Sequence, residues 1–483
     1  MNITLKKAKE KFQQIWGYED FRPPQAEIIQ TLLAGKDALI ILPTGGGKSI
    51  CFQLPALLQT GLTIVVSPLV ALMENQVSQL QKLGLSGALL DSELPRNERK
   101  NILRAIAKQK LSLLYLSPET LLSLPVWKII SQPEIKITGI ILDEAHCLTQ
   151  WGTTFRPAYR RLGAVRRSLL QHKPIGTKIA IAAFTATADP QAQQEIIKAL
   201  ELRQPEKFLV NPYRQNLSPN IKTVWTPRGR KQAMLRFIRS HKGSGLVYVR
   251  SRKDSLTLAE WFDSLGYSVA AYHAGLITTE RRNIERDWIT GKIQFVICTS
   301  AFGMGIDKPD VRWVLHYQAP ELLAEYIQEI GRAGRDGKPS SALTLISEPT
   351  GLLDPEDRQR SQFFTRKLER QYRQAQKLIK QLPKKGDIAT IKEQFPDGEI
   401  ALGVLHSLGL VYWQDPFNYC RRSHKVDWSN LTNNQKRDRQ KMQRYLRTKH
   451  CRWRYLLYAF GFKQEAQNFN CGSCDNCRKQ KRS

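Results

Sequence analysis

The chain has little cysteine for its length: eight residues in 483, too few for the disulfide framework of a small secreted fold. It has no run of 18 or more apolar residues, which excludes a membrane-spanning helix. The first residues, MNITLKKAKEKFQQIWGY, scatter apolar side chains among lysines and lack the hydrophobic stretch of a secretory leader. Acidic residues are scarce too, 43 Asp and Glu against 74 Lys and Arg, leaving a net charge of +31. These absences predict a soluble, reduced protein in a cytoplasm or nucleus, nucleoid-associated if the source is bacterial, with no membrane partner; a monomer is expected. The basic excess suits a polyphosphate partner, nucleic acid first. The length allows roughly three domains.

Glycine is also missing at position 42, where the strict GxxxxGK[ST] phosphate loop carries one. Leu42 stands there, and ALIILPTGGGKS at 38–49 fits the shorter GxGK[ST] form. Residues 38–42 read as a buried parallel strand. Thr44, Gly45, Gly46 and Gly47 then form a loop whose backbone N–H groups can close on phosphate oxygens at a helix start. Lys48 is placed to reach the β- and γ-phosphates and the Ser49 hydroxyl a magnesium ion. A second apolar run, 140–142, ends in Asp143-Glu144-Ala145-His146, putting two carboxylates at the end of a strand where open α/β sheets bind ligands. Asp143 is expected to hold Mg2+ and Glu144 to accept the proton of an attacking water. Together the two motifs predict hydrolysis of a nucleotide.

Further motifs follow in a fixed order: IWGYEDFRPPQ at 15–25, VVSPLVALMENQ, YLSPE at 115–119, DEAH, FTATA at 184–188, LVYVRSR at 246–252, YHAG, CTSAFGMGIDKPDVRWVLHY at 298–317 and YIQEIGRAGRDG at 326–337. In this order the chain resembles a RecQ-family DNA helicase of superfamily 2. The resemblance implies an α/β fold of two tandem RecA-like parallel-sheet domains, 1–208 and 209–347, with ATP between them. It also implies that Tyr18 and Arg22 pack on adenine while Gln25 hydrogen-bonds its edge, an amide supplying the donor and acceptor that adenine requires. Arg332 and Arg335 become arginine fingers toward the γ-phosphate. Gly305 allows close backbone approach, and Asp307 resembles an acid on the hinge side of the ATP site.

After DEAH comes HCLTQWGTTFRPAYRRL. Trp151, Phe155 and Tyr159 would make one stripe on a helix, but Gly152, Thr153, Thr154 and Pro157 disfavour a regular helix. A loop carrying Trp151, Phe155 and Arg156 beside an ATPase motif suits stacking and phosphate contact with single-stranded nucleic acid. It matches the aromatic-rich loop of the RecQ family, with His146 as its link to the ATP site.

The final third, 348–483, is a basic α+β and zinc-binding region by expectation, with 28 basic and 14 acidic residues. Between 421 and 454, twelve basic and two acidic residues are interleaved with Trp428, Tyr445 and Trp453, which favours a phosphate-tracking surface. Cys451, Cys471, Cys474 and Cys477 have the spacing C-x19-C-x2-C-x2-C, that of a closed structural Zn2+ site within about 440–478. The order departs from the family, in which a winged helix follows the zinc element. Here 113 residues separate Gly337 from Cys451 and six follow Cys477, so no winged helix and no HRDC domain is expected after the zinc. Instead 387–394 and 399–408 read as helices and 410–420 as a hairpin turning at Asp415-Pro416, a winged-helix order over about 384–420. Trp413 and Phe417 at its tip are expected either to wedge open a terminal base pair or to form the core of this small unit.

The function that follows is an ATP-dependent DNA helicase using ATP, Mg2+ and Zn2+, acting on single-stranded DNA and single/double-strand junctions in repair and recombination. The family resemblance implies 3′–5′ unwinding. The alternatives are an RNA-dependent ATPase, since base stacking tolerates either sugar, and a zinc-dependent DNA-binding regulator whose ATPase fold only senses nucleotide.

Overall fold

Runs of consecutive apolar residues, without polar alternation, form strands buried on both faces, as parallel sheets require. The computed structural model describes residues 5–43, 45–149, 156–302, 306, 308–422 and 428–481. A first sheet contains β1 (Ala38–Ile41), β2 (Leu62–Val66), β3 (Gly87–Leu90), β4 (Leu113–Leu116), β5 (Ile137–Leu142), β6 (Ala180–Thr185) and β7 (Glu206–Leu209), all parallel, in the order β3-β4-β2-β5-β6-β1-β7. A second contains β8 (Leu217–Val224), β9 (Ser244–Tyr248), β10 (Val269–Tyr272), β11 (Phe295–Cys298), β12 (Val311–His316) and β13 (Ser340–Ser347), again parallel, in the order β10-β11-β9-β12-β13-β8. Helices connect the strands, giving two RecA-like lobes.

A third, antiparallel sheet, β14 (Lys385–Asp387), β15 (Val411–Trp413) and β16 (Asn418–Arg421), has the order β14-β16-β15. The long helix Glu356–Gln381 precedes it, and Ile388–Gln394 and Gly398–Ser407 fall between its first two strands. The expected helices and hairpin are present. Asp387 caps the first helix, its Oδ1 accepting from the Thr390 N–H at 2.9 Å. Asp415 builds the hairpin turn by accepting from the N–H groups of Phe417 (2.7 Å) and Asn418 (2.8 Å). β14 lies outside the sequence expectation, because Lys-Gly-Asp carries no apolar alternation and is a strand only through its pairing with β16.

The chain divides into two compact units. One comprises Met1–Leu42, Gly46–Val210 and Arg366–Trp428, the other Pro43–Gly45, Asn211–Thr365 and Ser429–Ser483. The final third, expected as one region, is therefore shared between them. The reason is apolar burial on each lobe. In the first unit Phe417 packs edge-on against Trp127, ring centroids 5.4 Å apart. Arg161 donates to the Pro416 carbonyl at 3.3 Å and pairs with Glu399 at 3.0 Å, and Arg167 donates to the Trp413 carbonyl. In the second unit Trp453, Leu456, Phe460 and Tyr445 enter the same apolar cluster as Leu217 and Tyr326.

Candidate active site and zinc centre

Strand order assembles the nucleotide site. β6 lies between β1 and β5, so three neighbouring strands deliver the phosphate loop, Thr185 and the DEAH residues at their carboxyl ends. Gly45 (φ +83°) and Gly47 (φ +71°) hold left-handed conformations, and the helix Lys48–Leu58 starts directly after Gly47. At Gly47 the left-handed φ strains any side chain, and a Cβ would lie 2.3 Å from Gln25 Nε2, so a substitution there would also have to displace Gln25. Thr44 lies outside the described residues.

Gln25 is buried; its Oε1 accepts from the Arg22 N–H at 2.9 Å and its Nε2 donates to the Gly47 carbonyl at 3.3 Å. It thus ties the adenine-motif segment to the phosphate loop, a contact the adenine assignment did not include. Tyr18 and Arg22 are exposed. Lys48 Nζ is shielded from solvent and has no hydrogen-bond partner among the described residues, as an ammonium meant for phosphate oxygens would be. Ser49 follows on the first helical turn.

Asp143 and Glu144 are both buried. Burial, then the neighbouring Glu144 charge, push the Asp143 carboxyl up to about 6, while Lys48 pulls the other way. Two adjacent buried carboxylates facing one ammonium fit a divalent cation, which Asp143 and Ser49 would hold. Glu144 has φ +51°, a strained conformation for a non-glycine residue. It sits where the strand turns sharply into the short 3-10 helix Ala145–Leu148. His146 Nδ1 is 3.1 Å from Glu144 Oε2 and 3.0 Å from Thr185 Oγ1. Burial disfavours its charged ring, but the Cys147 sulfur and the Glu144 carboxylate outweigh that and hold its pKa above the ordinary value.

Thr185 was legible only as part of FTATA, with no role attached. Tyr159, third of the aromatic stripe, is core: it is buried in the 3-10 helix Pro157–Arg161, with its hydroxyl donating to the Asp143 carbonyl at 3.4 Å. Arg156 pairs with Glu119 of the YLSPE segment at 3.4 Å. Trp151, Phe155, Gly305 and Asp307 lie outside the described residues.

The two arginines of GRAGR belong to the second unit. Arg332 is buried beside the Tyr248 hydroxyl, and Arg335 donates to the Ile306 carbonyl at 3.3 Å. At the hairpin the core alternative is favoured over the wedge: Trp413 is 4% exposed, inside its own subdomain, and the half-buried Phe417 packs against Trp127. A three-stranded sheet this small needs both rings for its core and its docking.

The four cysteine sulfurs converge within 4.8 Å of one another. Tetrahedral coordination at about 2.3 Å puts sulfurs about 3.8 Å apart, and Cys471 and Cys477 are 3.9 Å apart. Backbone N–H groups point at the sulfurs, from Cys471 to Cys451 (3.3 Å), Cys474 to Cys471 (3.4 Å) and Cys477 to Cys474 (3.5 Å), as thiolates prefer. The donors fit zinc. Arg452 forks onto Asp475 at 2.9 Å, and Asp475 in turn accepts the Ile221 N–H at 3.3 Å on the outer strand β8.

Three family descriptions match the chain in succession: DEAD/DEAH box helicase over 22–196, helicase conserved C-terminal domain over 229–337, and RecQ zinc-binding over 419–478. The ATP-dependent DNA helicase RecQ of Synechocystis sp. is 52% identical over 470 residues, 97% of this chain and 98% of that protein. The RecQ of Pasteurella multocida is 39% identical, covering 72% of this chain and 53% of that one. Among solved structures, the Mycobacterium smegmatis helicase Lhr bound to single-stranded DNA and AMP-PNP aligns with a TM-score of 0.57 at 20% identity, over 72% of this chain and 48% of that one. That likeness speaks for the fold. With a phosphate loop and DEAH acids on the two strands that flank β6, a four-sulfur zinc centre, and near-full-length identity above one half, this chain belongs to the RecQ family of ATP-dependent DNA helicases.

Proposed function

We propose that this helicase couples ATP hydrolysis to 3′–5′ movement along single-stranded DNA and opens duplexes at single/double-strand junctions, as a monomer on the nucleoid. Lys48 compensates phosphate charge while Glu144, oriented by His146, accepts the proton of the attacking water. Magnesium, when bound, supplies further neutralisation of the phosphate oxygens. Arg332 and Arg335 neutralise the charge that develops in the transition state. Trp151 and Phe155 stack on bases, with Arg156 on the backbone.

The observation that carries the coupling is His146. One ring nitrogen is shared between the general base Glu144 and Thr185, and the chain reaches the aromatic segment a few residues later. A change in that segment therefore has a short covalent path to the base. Strand displacement on tailed duplexes of both polarities, with ATPase stimulated by DNA or by RNA of the same sequence, tests the reading. Opening only 5′-tailed substrates would reverse the polarity, and equal stimulation by RNA would remove the preference for DNA.

A further inference from the structure

The GRAGRDG backbone contains three glycines, and such a chain does not by itself hold two arginines in fixed positions. Two sets of side chains in the second unit hold it. Arg250, two residues past β9, forks onto Glu329 with Nη1–Oε1 at 2.9 Å and Nη2–Oε2 at 2.8 Å, and both side chains are buried. His316 Nε2 lies 2.9 Å from the same carboxylate, while its Nδ1 shares a hydrogen bond with Thr344 Oγ1 at 3.0 Å. Glu329 is the penultimate residue of the helix Leu323–Ile330, and its carbonyl accepts the Arg332 N–H at 3.4 Å. The fork therefore fixes the rotation of the helix end that leads into the loop.

The second set comes from the segment ahead of β8. Arg214 donates to the Gly331 carbonyl at 3.1 Å and to the Gly334 carbonyl. Asn216 Nδ2 donates to the carbonyls of Gly334 and Lys338, both at 2.8 Å. Gly334 has φ +62°, and a Cβ there would lie 2.5 Å from Asn216 Nδ2. Three carbonyls flanking Arg332 and Arg335 are thus taken up by two side chains more than a hundred residues away in sequence. Burial and then the charge of Arg335 lower the Arg214 pKa, so the loop concentrates positive charge, the arrangement a polyphosphate would relieve.

Bidentate guanidinium–carboxylate pairing adds geometric definition. Charge stabilisation in a transition state depends on donors placed beforehand, and a displacement near 1 Å can cost about 100-fold. We propose that Arg250, Arg214 and Asn216 are positioning residues that hold the Arg332/Arg335 loop for phosphoryl transfer. The proposal rests on the finger reading of those two arginines.

The test is steady-state ATPase of the full chain at saturating single-stranded DNA, with Arg250→Gln, Asn216→Ala, Arg332→Ala, Arg335→Ala, and Arg332→Ala combined with each positioning variant. Arg250→Gln and Asn216→Ala should each lower kcat about 10-fold with KM for ATP changed less than about twofold. Each combination should lose clearly less than the product of the two single losses, because misplacing the loop costs less once one of its two fingers is already missing. Wild-type kcat in both positioning variants, or a further full loss in the combinations, overturns the clamp. If Arg250→Gln fails to fold, Asn216→Ala, at the rim of the loop, carries the same cycle. Wild-type kcat in both Arg332→Ala and Arg335→Ala removes the finger reading and the clamp with it. Loss in those two with wild-type kcat in the positioning variants removes the clamp alone.

Discussion

Stripping zinc should unfold far more than the last forty residues. Trp453, Leu456, Tyr445 and Phe460 are at most 5% exposed and share one apolar cluster with Leu217 and Tyr326 of the second lobe. At roughly 1.5–3 kcal/mol for each fully buried large side chain, the four contribute about 6–12 kcal/mol. That is comparable with the whole stability of a domain, about 5–15 kcal/mol. Cys474→Ser, or a chelator, releases the anchor that holds them: zinc binding by small cysteine sites amounts to roughly 10–16 kcal/mol near neutral pH. At roughly 2–4 °C per kcal/mol for a unit of this size, the melting transition of the second unit should fall by at least about 10 °C. Lys48, Asp143 and Glu144 belong to the first unit, whose apolar clusters contain none of these side chains. Its transition should stay, and affinity for a fluorescent ATP analogue should change less than about threefold while hydrolysis disappears. Calorimetry with and without chelator, run beside nucleotide titration, reads both quantities. Equal shifts of both transitions, or ATP binding lost in step with zinc, would refute the separation; no shift at all would refute the burial argument.

Lys48→Ala should abolish hydrolysis, whereas Glu144→Gln should keep ATP binding and lose turnover; wild-type rates in either variant would remove the site assignment. Thr185→Val, nearly isosteric, leaves His146 without its hydroxyl partner and should lower DNA-stimulated ATPase about 10-fold with unchanged ATP binding, an effect the structural loss of one hydrogen bond, about 1–3 kcal/mol, would not mimic in the DNA-free rate. Trp413→Ala should lower stability by about 3–5 kcal/mol as a core truncation. An unchanged melting temperature with impaired unwinding would restore the wedge.

The two lobes were legible because buried parallel strands are continuous apolar runs and because phosphate loops and DEAH acids are local in sequence. The helices and hairpin at 387–420 were legible for a similar reason: Asp387 and Asp415 are local caps and turn makers. What the sequence did not disclose is long-range. Arg161 meets Glu399 and Arg250 meets Glu329 across stretches that no periodicity connects. A charged residue in a basic chain reads as a solvated face until its partner is placed. Trp413 illustrates the opposite ambiguity: an aromatic at a hairpin tip serves a fork or a core equally well on paper, and only its burial decides.

The division of the final third has a consequence for biosynthesis. Residues 366–428 return to the unit begun by the N-terminus, and residues 429–483 return to the unit that intervenes. Each unit is therefore assembled from pieces of chain that emerge from the ribosome at widely separated times. At about 5–20 residues per second, the first lobe waits roughly 10–40 s between the synthesis of Val210 and that of Trp428. During that interval Trp127 has no Phe417 to cover it and Arg161 no Glu399. The second lobe likewise waits, with the outer edge of β8 uncovered until the zinc ligands arrive, and uncovered edges are where nascent chains associate wrongly. Splitting the gene after either lobe would leave both incomplete, so a fragment carrying only the motor motifs would be missing parts of each half.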